Sequence, residues 1–249
     1  MPAPSPTLAP DAPRADIERE TRLPPAAETS RTLHLVRGVD APTLRAPALA
    51  SIASVVARST TLVTLNLVGH RLDRASVRAL VRAVAASPSL RVLDLGECGV
   101  DDDGATAVAD AILLAPRLSR LHLDRNAVGP VGFEAIASAV RVGGCVRALD
   151  LSRNPGGDAG VIALARAAKE ARERRGPDAP PRELTLRGCG VGDEGALAMG
   201  EAMRACEEMR EVHLDGNQIS AEARAALVET AESGWLGRIP RVFVEAGLS

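Results

Sequence analysis

Leu62-Val63-Thr64-Leu65-Asn66-Leu67 is followed by Leu90-Arg91-Val92-Leu93-Asp94-Leu95, then by Leu118-Ser119-Arg120-Leu121-His122-Leu123 and Val146-Arg147-Ala148-Leu149-Asp150-Leu151. The central leucines Leu65, Leu93, Leu121 and Leu149 stand 28 residues apart each time. Like hexads at one fixed period mark an internal repeat, and within each hexad alternate side chains point to opposite faces of a short strand. After an insertion of seven residues the pattern resumes at Leu184/Leu186 and, 28 residues later, at Val212/Leu214. Degenerate copies flank the set, Leu33/Leu35 at the start and Ile239, Val242 and Val244 at the end. Eight strands are expected.

A second feature follows each strand. Three residues beyond the last leucine stands Asn126, Asn154 or Asn217, with His70, Cys98 or Cys189 in the other full units. The chain leaves the sheet there, so a buried polar side chain must satisfy backbone groups that the sheet no longer pairs. Helix starts come next, at Asp101-Asp102-Asp103-Gly104, Gly192-Asp193-Glu194-Gly195 and Ser220-Ala221-Glu222. Acidic and small residues there suit exposed amides and the positive end of a helix dipole. Apolar stripes at helical spacing follow: Val77, Leu80, Val81 and Val84; Ala105, Val108, Ala109 and Ile112; Phe133, Ile136, Ala137 and Val140.

From about residue 30 to 245 these units resemble the ribonuclease-inhibitor-like subfamily of leucine-rich repeats, with its motif L-x-x-L-x-L-x-x-N/C-x-I/V and a G-A-x-x-L-A-like helix. Three positions depart from the pattern: His70 for Asn or Cys, Gly156 for the following aliphatic, and Pro181 for the leading Leu of the sixth full strand. The resemblance implies an α/β leucine-rich-repeat solenoid, an open arc with a concave parallel β-sheet and convex helices. Strands stack about 4.8 Å apart and helices about 8–10 Å apart, a mismatch that turns each unit by roughly 20° and bends the stack. It also implies a non-enzymatic protein–protein interaction or assembly module that binds a partner protein on the concave face. A subunit of a larger cytoskeletal or ciliary assembly is the preferred form, and a regulator of a small GTPase, of the GTPase-activating type, is the alternative.

Composition narrows the field. The only aromatic residues are Phe133, Trp235 and Phe243, so the core must be thin layers of Leu, Val, Ile and Ala. A net charge of −2 from 30 basic and 32 acidic residues supplies no field that favours nucleic acid or an anionic membrane. No apolar run approaches the roughly 20 residues a spanning helix needs, and no signal-peptide-like hydrophobic region stands at the start. Cys98, Cys145, Cys189 and Cys206 form no C-x-x-C pair, which leaves zinc-ribbon and thioredoxin chemistry little support. Reduced thiols and a cytoplasmic location fit this usage.

Two domains of behaviour are expected. Residues 1–29 hold seven of the 17 prolines and read as a disordered Pro/Ala-rich tail; residues 30–249 form the repeat domain. The insertion at 169–181 should lengthen the fifth full helix, with Glu170 and Arg174 paired four residues apart, and then protrude as a loop. Residues 236–249 are a degenerate end repeat, where Trp235 and Phe243 bring two aromatics to one end.

Between paired leucines the outward residues are His34, Asn66, Asp94, His122, Asp150, Thr185, His213 and Phe243. From this row Asn66, Asp94, His122, Asp150, Thr185, His213 and Phe243, with Trp235 beside them, are the expected partner-binding residues. Asp94, His122 and Asp150 on successive strands would stack about 5 Å apart, but a flat sheet offers a line where a metal wants converging ligands. No metal site, no cofactor and no catalytic residue is assigned, since no nucleophile stands in register with a base and an orienting acid. Gly190-Val191-Gly192-Asp193-Glu194-Gly195 matches the dinucleotide fingerprint G-x-G-x-x-G. The same register elsewhere reads Gly99 to Gly104 and Ala127 to Gly132, so the glycines belong to the repeat's turn, and Asp193 and Glu194 would repel a pyrophosphate. On the convex side Arg74, Arg78 and Arg82, with Arg71 close by, form a basic stripe.

Overall fold

A computed structural model of the chain describes residues 31–35, 44, 46–178, 181–233 and 241–244. The proline-rich tail, Trp235 and Ile239 lie outside the described residues. Eight three-residue strands alternate with helices: β1 Thr32–His34, α1 Ala46–Arg58, β2 Thr64–Asn66, α2 Arg74–Ala86, β3 Val92–Asp94, α3 Asp102–Leu114, β4 Arg120–His122 and α4 Pro130–Val142. They continue with β5 Ala148–Asp150, α5 Gly157–Arg175, β6 Glu183–Thr185, α6 Asp193–Ala205, β7 Glu211–His213, α7 Ala221–Glu232 and β8 Arg241–Phe243. The strands form one parallel sheet in the order β1 to β8, and each helix packs on the helices before and after it. This is a leucine-rich-repeat solenoid, an open arc.

The leucines do what their spacing demands. Leu65, Leu93, Leu121 and Leu149 pair in register and are at most 1% exposed, and Leu67, Leu95, Leu123, Leu151, Leu186 and Leu214 are fully buried. Pro181 is buried in the leading-leucine position, and β6 still pairs in register, Leu149 opposite Leu184. A missing backbone donor is harmless there because the strand's ladder begins after it.

Polar side chains close the strand ends. Asn154 Nδ2 donates to the carbonyls of Leu123 (2.8 Å) and Leu151 (2.9 Å), while its Oδ1 accepts from the amide of Val128 (3.0 Å). Asn126 and Asn217 repeat the pattern one repeat before and two repeats after. Where cysteine stands instead, the thiol donates to the preceding repeat's carbonyl, Cys98 to Leu67 at 3.1 Å and Cys189 to Leu151 at 3.2 Å.

The Gly156 departure has a partner. A Cβ at Gly156 would lie 2.5 Å from Phe133 Cζ, and one at Gly160 would lie 2.7 Å from Phe133 Cγ. The fully buried Phe133 ring of α4 fills the room that an aliphatic occupies in the other repeats.

The insertion differs from its expected form. Glu170 pairs with Arg141 of α4 at 3.6 Å rather than with Arg174. Lys169 reaches Glu201 of α6 at 3.4 Å, and Arg175 donates to the carbonyls of Val140 (2.8 Å) and Gly144 (3.3 Å). Ala171 is fully buried. The extra turns of α5 are therefore packed between their neighbours, because a helix end flanked by acceptors and opposite charges gains more by leaning on them than by self-pairing. Past α5, Asp178 draws Arg182 to 2.8 Å and Arg147 to 3.9 Å.

Candidate functional site

Strand register builds one row across the sheet: His34, Asn66, Asp94, His122, Asp150, Thr185, His213 and Phe243 are successive partners. The central six are half-buried, and His34 and Phe243 at the ends are exposed. Trp235 lies outside the described residues, so its place beside Phe243 stays an expectation.

Two residues beyond each strand a second row runs on the same side, since alternate residues share a face. It consists of Val68, Gly96, Asp124, Ser152, Arg187 and Asp215, aligned by amide-to-carbonyl bonds such as Glu97 to Asp124 (3.0 Å) and Arg125 to Ser152 (2.8 Å). The expected line of Asp94, His122 and Asp150 is broken by this row. Asp94 turns to Asn66, accepting from its Nδ2 at 3.0 Å and from the amide of Gly96 at 3.1 Å. Ligand atoms of His122, Asp124 and Asp150 lie within 4.8 Å of one another, so the side chains converge where a line was expected. A Cβ at Gly96 would sit 2.9 Å from Asp124 Oδ1; glycine at that position makes the niche for the carboxylate. Burial, and then the charges of Asp150 and Asp94, push the Asp124 carboxyl above its usual range, against a smaller pull from His122. Sequence reasoning passed over Asp124 because it stopped at the strand's end. The signal was the alternation continuing two residues further.

At the other end of the row Phe243 stacks on His213, ring centres 4.3 Å apart and planes 3° from parallel. Arg187 Nη2 meets His213 Nδ1 at 2.8 Å, and Arg187 Nε donates to Asp215 at 3.0 Å. A guanidinium only donates, so Nδ1 accepts and the imidazole is neutral. Burial, and then the Arg187 charge, hold the His213 pKa below its ordinary 6.5, opposed by Asp215, Glu211 and Asp150. The unfolded chain thus binds this proton more readily than the folded one. The stability the neutral ring contributes is complete above pH 6.5 and is lost as pH falls through the lower folded-state value. The gap in thermal midpoint between the parent and His213→Gln is expected to narrow in acid; a gap that holds constant down to about pH 5 would mean the ring does not titrate against the fold.

The glycine-rich turn is already filled. Asp158 Oδ1 accepts from the amides of Gly192 (2.7 Å) and Gly195 (2.9 Å), which open α6. Asp102 does the same for Gly129 (2.6 Å) and Gly132 (2.9 Å) at α4. Both helices begin at a glycine with no side-chain cap of its own. A carboxylate from the preceding repeat therefore occupies the place a phosphate would take at a helix N-terminus. A Cβ at Gly195 would lie 2.6 Å from Asp158 Oδ1, which is why glycine stands there. Asp158→Ala is expected to cost about 1–2 kcal/mol in urea unfolding, the worth of a helix cap; a loss within error of zero would show that water replaces the carboxylate.

Three thiols are inert. Burial pushes Cys98 up to about 12 and Cys189 and Cys206 up to about 11. The convex stripe is partly neutralised, with Arg74 held by Asp103 at 2.7 Å, while Arg71, Arg78 and Arg82 remain exposed. Among the described residues no helix is long and apolar enough to cross a membrane.

Known proteins bear on this geometry in two ways. The family described as "Leucine Rich repeat" matches residues 86–109, 145–165 and 182–200. Those matches fall on three of the repeats, and the fold they belong to is a leucine-rich-repeat solenoid. Among solved structures, "Leiomodin-1 Actin-Binding Site 2 (ABS2)" is 13% identical, with 78% of this chain and 90% of that one covered and a TM-score of 0.45. No curated protein matches the chain.

Proposed function

We propose that the chain is a non-enzymatic interaction module that holds a partner protein against its concave face. The observation that carries this reading is the register row. One side chain per strand, of mixed acidic, imidazole, hydroxyl and aromatic character, forms a graded polar surface between two exposed ends. A polar, half-desolvated centre with an aromatic at one edge has the make-up of a specific contact surface. We assign the repeats to the ribonuclease-inhibitor-like subfamily, supported by the 28-residue register from β2 to β5 and by a full helix in each repeat. The finer assignment is to a subunit of a cytoskeletal or ciliary assembly.

Crosslinking mass spectrometry on the tagged protein in its native cells tests the reading, beside the variant Asp94→Arg/His122→Ala/Asp150→Arg with its thermal midpoint measured in parallel. The expected result is a partner crosslinked along the row from Asn66 to Phe243 and lost with the folded variant. A partner retained through residues 169–181 or the proline-rich tail would reduce the arc to a spacer and overturn the concave assignment. A regulator of a small GTPase would instead accelerate hydrolysis by a bound GTPase, which an assembly subunit leaves unchanged.

A further inference from the structure

We propose that His122, Asp124 and Asp150 form a binding site for one divalent transition-metal ion of the zinc type on the concave face. The site is a property of the chain alone and does not depend on the partner reading. One ligand atom from each residue, an imidazole nitrogen and two carboxylate oxygens, lies within 4.8 Å of the other two. Some point therefore lies within about 2.8 Å of all three, and side-chain torsions suffice to close this to the roughly 2.0–2.2 Å of zinc–nitrogen and zinc–oxygen bonds.

The donor set selects the metal. Calcium and magnesium seek shells of oxygen, whereas imidazole with carboxylate suits zinc and its first-row neighbours. The imidazole is what separates this triad from an ordinary run of surface acids.

The ligands are also held in place. Asp150 Oδ1 accepts from the amide of Ser152 at 2.9 Å, leaving its other oxygen for a metal, and the Gly96 niche receives Asp124. Among the described residues neither Asp94, Asp124 nor Asp150 forms an ion pair with Lys or Arg, and the neighbouring Arg125 is turned to Glu97 at 3.1 Å. Three carboxylates thus share a half-buried patch with no Lys or Arg bonded to any of them among the described residues. A dication between carboxylates this close would relieve their like-charge repulsion. With three protein ligands the ion keeps open positions for water or for a donor from another molecule.

Chelator-stripped protein is titrated by calorimetry with zinc alone and, separately, with calcium alone. The expected result is one zinc per chain, a zinc-dependent rise in thermal midpoint, and movement of the His122 ring resonances. Affinity should fall at least about tenfold in His122→Ala and in Asp124→Asn, and should be unchanged in Cys145→Ser, which removes the exposed thiol. Midpoints in chelator report folding of the variants. Three results would each overturn the site: no saturable zinc binding, calcium bound as tightly and indifferent to His122→Ala, or binding lost with Cys145→Ser.

Discussion

Phe133→Ala is expected to lower the unfolding free energy by about 3–5 kcal/mol, the range for emptying a buried aromatic site, and Gly156→Val added to it should restore a good part of the loss. The ring is fully buried and lies against two glycines, Gly156 and Gly160. Gly156 has φ −72 and ψ −32, ordinary helical values open to any residue. Glycine is therefore present for the ring and not for the backbone. In the parent, Gly156→Val alone forces a branched side chain into an atom 2.5 Å away and should cost roughly 1–3 kcal/mol by overpacking. Once the ring is gone, valine returns the aliphatic that Val100, Val128 and Val191 supply at the same place in their repeats. The double-mutant cycle should thus show a coupling of about 2 kcal/mol or more; two losses that simply add would refute the exchange of ring for aliphatic. Because each repeat touches only its neighbours, weakening the α4–α5 junction should also split the array, seen as a shallower urea transition.

That exchange shows where legibility ended. Strand and helix positions follow from spacing within one repeat, so the eight strands, the inward leucines and the outward row were readable from the residues. The contacts that correct the reading run between repeats. Gly156 read as a defect when compared with its own template, and as a partner once Phe133 of the preceding helix was in place. Gly192 and Gly195 were assigned to the turn, but the carboxylate that occupies them, Asp158, lies 34 residues before the first. Asp124 was missed for a related reason, since its importance arises from His122, Asp150 and the vacancy over Gly96. Glu170 and Arg174 form a sound local pair on paper, and the packed array offers Glu170 a better partner in Arg141. Periodic sequence fixes each unit's own geometry, while glycine and charge acquire their meaning from the unit next door.

Asn154→Ala should cost about 2–6 kcal/mol, summed from one amide it orphans outright at roughly 1–3 kcal/mol and two further hydrogen bonds lost at roughly 0.5–1.5 kcal/mol each. Its side chain is 2% exposed, so water cannot readily take its place. Removing it leaves the Val128 amide without its acceptor, leaves the Leu123 carbonyl with only the Asn126 side chain as donor, and leaves the Leu151 carbonyl with only the weak thiol donor of Cys189. These groups belong to two consecutive repeats, so the side chain is a rivet between units as much as a cap on one strand. Asn154→Cys separates polarity from volume. At Cys98 the thiol lies 3.1 Å from the carbonyl of Leu67 and 3.4 Å from that of Gly96, with one proton to share between them. A weak donor is thus tolerated at this place in the repeat, and Asn154→Cys should lose clearly less than Asn154→Ala. Amide hydrogen exchange gives the local reading. The Val128 N–H should lose protection in Asn154→Ala ahead of the amides of β2 and β3, which sit nearer the other end of the array. Equal losses for alanine and cysteine, with no selective exchange at Val128, would mean the asparagine acts by filling space and not by bonding.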